Sequence, residues 1–85
     1  MAVQPRPEEN GRLVLNIFAH FRSEVGHVLG AKNFVAVAAR RNIPMSRIQD
    51  GLDYALKTHW VEQTDSGALR LTQDGFRAMP NAGQV

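Results

Sequence analysis

The side chains best suited to chemistry in this chain are three histidines and a pair of carboxylates. His20, His27 and His59 share no spacing of the kind that brings ligands to one metal ion. Each is more simply a helix-surface or packing residue. Asp50 and Asp53 stand three apart, which on a helix puts them on one face. Such a pair could serve as general acid and general base. That work needs a cleft that desolvates one carboxyl and shifts its pKa, and a convex helix face offers none. There is no cysteine, so disulfides, thiolate metal sites and thiol catalysis are excluded. There is also no glycine-rich phosphate loop, no His-Glu-x-x-His and no nucleophile elbow. The expectation is a chain that is not an enzyme and implies no cofactor.

Arginine and lysine carry the remaining chemical potential, as partners for phosphate. Net charge is only +2, but it is unevenly spread. Between residues 12 and 47, Arg12, Arg22, Lys32, Arg40, Arg41 and Arg47 face Glu24 alone. From residue 48 on, Lys57, Arg70 and Arg77 are outnumbered by Asp50, Asp53, Glu62, Asp65 and Asp74. A basic patch is the electrostatic footprint of a phosphate-binding surface, and it also solubilises helix faces.

The elements that position these residues follow from apolar spacing. With 85 residues, 44% of them hydrophobic, the chain makes one domain with a small core. No run approaches the ~18 apolar residues of a membrane span. Residues 1–9 hold two prolines, mixed charge and no apolar leader, and read as a disordered tail of a cytoplasmic protein. Residues 80–85 read as a second disordered tail, leaving residues 10–79 as the domain. A first helix is expected from Asn10, as N-cap, to about Glu24. Leu13, Val14, Ile17, Phe18, Phe21 and Val25 form one broad stripe along it. Such a stripe suits a central core helix, or a homodimer face at Val14 and Phe18. Gly26 to Gly30 breaks the helix, and Val28-Leu29 can form a very short strand. A second helix spans about Ala31–Arg41, with Phe34, Val35, Val37 and Ala38 inward and Asn33 a possible internal N-cap.

Asn42-Ile43-Pro44 is a turn, because Asn tolerates the left-handed conformation that ends helices and Pro suits a helix start. In a third helix, about Pro44–Thr58, Met45, Ile48, Leu52, Ala55, Leu56 and His59 cluster on one side. Ser46, Arg47, Asp50, Asp53, Tyr54 and Lys57 lie opposite. Gly51, on the border, fits close packing on a neighbouring helix or close approach to a partner. Trp60 to Thr64 and Ala68 to Leu71 read as strands around the turn Asp65-Ser66-Gly67. Thr72 then caps a short helix, about Gln73–Met79.

The order of these elements, with Val37-Ala38, Asn42-Ile43 and Ile48 at helix-turn-helix spacing and Leu71-Thr72-x-x-Gly75 after the hairpin, resembles the winged helix-turn-helix family. Asn42 stands where the family usually has glycine, and two further positions depart from its pattern. Arg41 stands where an apolar residue is common, and His59 where a helix-ending glycine is common. The resemblance implies a mainly α fold with a small β-wing, in the order α-(β)-α-α-β-β-α. It also implies a small DNA-binding protein of bacterial or phage type that regulates transcription, with the third helix in the major groove of double-stranded DNA.

Carried over to matching positions, Ser46, Arg47, Asp50, Tyr54 and Lys57 would face the groove. Arg47 would read a base edge, and Tyr54 and Lys57 would touch phosphates. Arg40, Arg41 and, on the wing, Arg70 would be further phosphate contacts. Asp50, Asp53 and the acidic wing tip oppose that use, since carboxylates repel phosphate. The other expectation is therefore a protein-protein interaction module on the same scaffold, using the face around Tyr54 and the first helix.

Overall fold

The computed structural model describes residues 6–79. Residues 1–5 of the first expected tail and the whole of the second, residues 80–85, lie outside the described residues. The elements run α1 (Pro7–His20), β1 (Val28–Leu29), α2 (Ala31–Arg41), α3 (Met45–Lys57), β2 (Val61–Gln63), β3 (Leu69–Leu71) and α4 (Gln73–Ala78). The result is a mainly helical domain with one three-stranded antiparallel sheet, in the expected element order.

Helix α1 begins at Pro7, three residues before the expected start. Proline presets the first helical φ, and Glu8 and Glu9 complement the helix dipole. Asn10 is therefore not a cap. It sits inside the helix, buried. The helix also ends early, at His20 rather than near Glu24. The cause is Arg22, whose φ of 54° reverses the chain.

The same closure ends all three long helices. In α1 the Ser23 amide donates to the Phe18 carbonyl at 3.0 Å and the Arg22 amide to that of Ala19 at 2.9 Å. In α2 the Ile43 amide reaches Ala38 at 2.9 Å, and in α3 the Trp60 amide reaches Ala55 at 2.8 Å. These are Schellman bonds, which satisfy the last helical carbonyls and require a left-handed residue just before the donor. Arg22, Asn42 and His59 fill that position at φ 54°, 56° and 63°. Glycine fills none of the three.

In the sheet β3 is central, in the order β1-β3-β2. Val28 faces Arg70, and Leu29 faces Leu69. Val61 faces Leu71, and Glu62 faces Arg70. Leu29, Val61, Leu69 and Leu71 are buried, while Val28, Glu62 and Arg70 are exposed. Helix α4 docks through two features of Leu71-Thr72-x-x-Gly75. The Thr72 hydroxyl accepts from the Gly75 amide at 3.0 Å and donates to the Trp60 carbonyl at 2.9 Å. Gly75 lies so close to the Trp60 carbonyl that a Cβ there would clash.

The core gathers Val14, Leu15, Ile17 and Phe18 of α1 with Phe34, Val37 and Ala38 of α2, Ile48 and Ala55 of α3, and the sheet leucines. Phe18 and Phe34 meet edge to face, centroids 5.7 Å apart. Val14 and Phe18 are 0% exposed, so the homodimer face expected there does not exist. Val25, expected at the end of the stripe, lies beyond the helix and is exposed.

Candidate interaction surface

The orientation of α3 decides which side chains are available. Gly51 packs against the backbone carbonyl of Asn10 and the Val14 side chain, so α1 and α3 approach at a position with no side chain between them. Close packing on a neighbouring helix is thus what Gly51 serves, and it is buried. On a helical wheel the buried arc centres between Gly51 and Ala55, and the exposed arc centres on Asp53.

Two of the expected site residues fall at the edge of that buried arc. Arg47 is half-buried, and its Nε donates to Asn10 Oδ1 at 2.9 Å. Tyr54 is also half-buried and meets Trp60 edge to face at 5.4 Å, beside Gly11. The Arg12 guanidinium covers the same indole at 5.8 Å. Arg47 and Tyr54 therefore tie α3 to α1 and do not stand on the free face. The physical reason is that α3 contacts α1 through polar and aromatic side chains, not through its aliphatic stripe alone.

The remaining expected residues are exposed but scattered. Ser46 and Lys57 lie at opposite ends of α3. Arg40 and Arg41 close α2, where basic residues complement the helix dipole, and Arg41 Nη2 lies 3.4 Å from His20 Nδ1. Arg70 projects from the outer sheet face, opposite Val28 and Glu62. The structure does not gather these cations around α3. The free face of α3 carries Met45, Ser46, Gln49, Asp50, Asp53 and Lys57. It has two carboxylates and one ammonium. Among the described residues the one side-chain ion pair is Arg12–Glu8, at 3.0 Å, so neither Asp50 nor Asp53 is held in an ion pair, although Lys57 follows Asp53 by one turn on the same face. Arg47, three residues before Asp50, is turned toward Asn10 instead.

Beside this face lies an open groove of about 340 Å³. Ala31, Phe34 and Val35 of α2 form one wall, and Met45, Leu52 and Leu56 of α3 the other. Ile48 of α3 and Leu69 of the hairpin also line it, and Gln49, Asp53 and Gln63 supply its polar groups. Val35 is 49% exposed and Met45 40% exposed. Both were expected to point inward. A shallower hollow continues from Ala31 and Gly67 to Lys32 and Ser66. Sequence reasoning missed this groove, because Val35 and Met45 sit at the edges of apolar stripes and look like core.

Among the described residues no three His, Asp or Glu side chains come together as a metal ion requires. No described helix is long and apolar enough to cross a membrane. Comparison of the chain with family models, curated proteins and solved structures returned no match.

Proposed function

We propose that this chain is a winged helix-turn-helix module that binds another protein through the free face of α3 and the adjoining groove, without catalysing a reaction. The order α-β-α-α-β-β-α and the capped, glycine-docked α4 support the scaffold. One observation carries the choice of partner. The exposed arc of α3 is centred on Asp53, with Asp50 beside it, and borders an apolar groove. Carboxylates at the centre of the face repel phosphate, whereas exposed aliphatic side chains gain from burial against a partner.

The test is retention of the purified protein on immobilised duplex DNA as salt is raised. The expected result is no salt-sensitive association at low ionic strength, for the wild type and for the Asp50→Asn/Asp53→Asn variant alike. A steep salt dependence, reduced by about one unit of slope in Arg40→Ala, overturns the proposal. That outcome would favour a second reading, a cytoplasmic DNA-binding regulator. Its support is that Arg40, Arg41, Lys57 and Arg70 are exposed and lack carboxylate partners among the described residues.

A further inference from the structure

We infer that the occupant of the groove is an amphipathic segment of a different protein, which sets apolar side chains between α2 and α3 and a lysine or arginine over Asp50 and Asp53. The inference rests on the protein-binding reading above and adds the chemistry of the partner.

The size of the groove comes first. About 340 Å³ is near the lower end of the ~300–1,000 Å³ typical of ligand pockets, so it suits a few anchoring side chains. Its walls are aliphatic and aromatic, so those anchors are apolar. Charge comes second. Asp53 stands on the rim and Asp50 one turn earlier on the same exposed arc, both without an ion-pair partner among the described residues. A cation brought there by the partner is attracted by both. Lys32, beyond Ala31, and Lys57, one turn after Asp53, both repel such a cation and leave it over Asp50 and Asp53. Apolar anchors therefore lie over Val35 and Met45, and the basic residue lies toward Asp53.

Charge also argues against a second copy of this chain as occupant. A twofold contact presents the same patch from both subunits. With the axis at Asp53, the centre of the exposed arc, that would oppose this carboxylate to its own equivalent, and opposed like charges are unfavourable. A partner of complementary charge meets no such cost.

The experiment uses the full chain, immobilised, against a displayed library of random twelve-residue peptides. The best enriched peptide is then synthesised, and its Kd measured by fluorescence anisotropy. The expected peptides combine two or more large apolar residues with a lysine or arginine. Val35→Ser/Met45→Ser, at positions exposed enough to leave the fold intact, should weaken binding about tenfold or more, as losing two apolar contacts implies. Asp50→Asn/Asp53→Asn should weaken it by about two- to fivefold, as expected for rim charges. Enriched apolar peptides with no basic residue, bound equally by the Asp→Asn variant, would overturn the charge assignment and leave the protein-binding reading standing. If no enriched peptide depends on Val35 or Met45, both fall. Concentration-dependent dimerisation abolished by Val35→Ser would overturn the inference in favour of a second copy.

Discussion

Replacing Gly51 by alanine sets two well-known effects against each other, and the structure decides the sign. In an ordinary helix interior the change stabilises by roughly 1 kcal/mol, because glycine is a poor helix former. Here the new methyl group would meet the Asn10 carbonyl and lie 2.8 Å from Val14 Cγ2. The obstacle is the backbone of another helix, which cannot rotate away. Overpacking typically costs about 1–3 kcal/mol, and separating two helix backbones belongs at the top of that range. The net expectation is a loss of about 2 kcal/mol once the propensity gain is subtracted. For a domain of this size each kcal/mol moves Tm by roughly 4–8 °C, so Gly51→Ala should melt about 8–16 °C lower. Circular dichroism at 222 nm follows the transition, with Gln49→Ala on the exposed arc as a control that should stay within about 0.5 kcal/mol. A higher Tm for Gly51→Ala would refute the close approach of α1 and α3, and with it the orientation of α3.

Arg47→Ala should cost about 1–3 kcal/mol in urea unfolding, because it leaves the buried Asn10 Oδ1 without its donor. An unchanged midpoint would mean that Arg47 is free on the surface. Thr72→Ala removes the α4 cap and its bond to the Trp60 carbonyl, and should lower stability by about 1 kcal/mol, with loss of amide-exchange protection at Gly75. Equal protection in the variant would show that the hydroxyl does not cap. His59→Gly should raise stability by up to about 1 kcal/mol, since glycine adopts φ 63° without steric cost. A lower Tm would indicate that the His59 side chain itself holds the helix end.

The order of elements was legible because turn-forming residues punctuate the chain at Gly26, Asn42, His59 and Gly67, and the apolar spacing between them is regular. The rotation of α3 was not legible. Its aliphatic stripe, Ile48, Leu52, Ala55 and Leu56, reports contact with the core and α2. The contact with α1 is made by a missing side chain at Gly51 and by Arg47 and Tyr54, residues that ordinarily signal a surface. Hydrophobic periodicity cannot register an interface built that way. The first turn of α1 was hidden for a related reason, since Pro7, Glu8 and Glu9 are all exposed and add nothing to a stripe. The left-handed ends at Asn42 and His59 could be anticipated from residue type or position, but Arg22 gives no such signal.

The position of β3 at the centre of the sheet bears on how the protein is made. Leu69–Leu71 separates β1 from β2, yet it is among the last of the described elements to be synthesised. A ribosome that has already produced α1, β1, α2, α3 and β2 holds a chain in which Leu29 and Val61 have no strand between them. Phe18, Phe34 and Ile48 then lack the leucines that close the core over them. The loop from β1 to β3 spans half the protein, and its closure entropy is compensated only when that strand arrives. Closure of the sheet and of the core beneath it must therefore wait until β3 leaves the exit tunnel. Until then the nascent chain presents its apolar surface to whatever chaperones attend it.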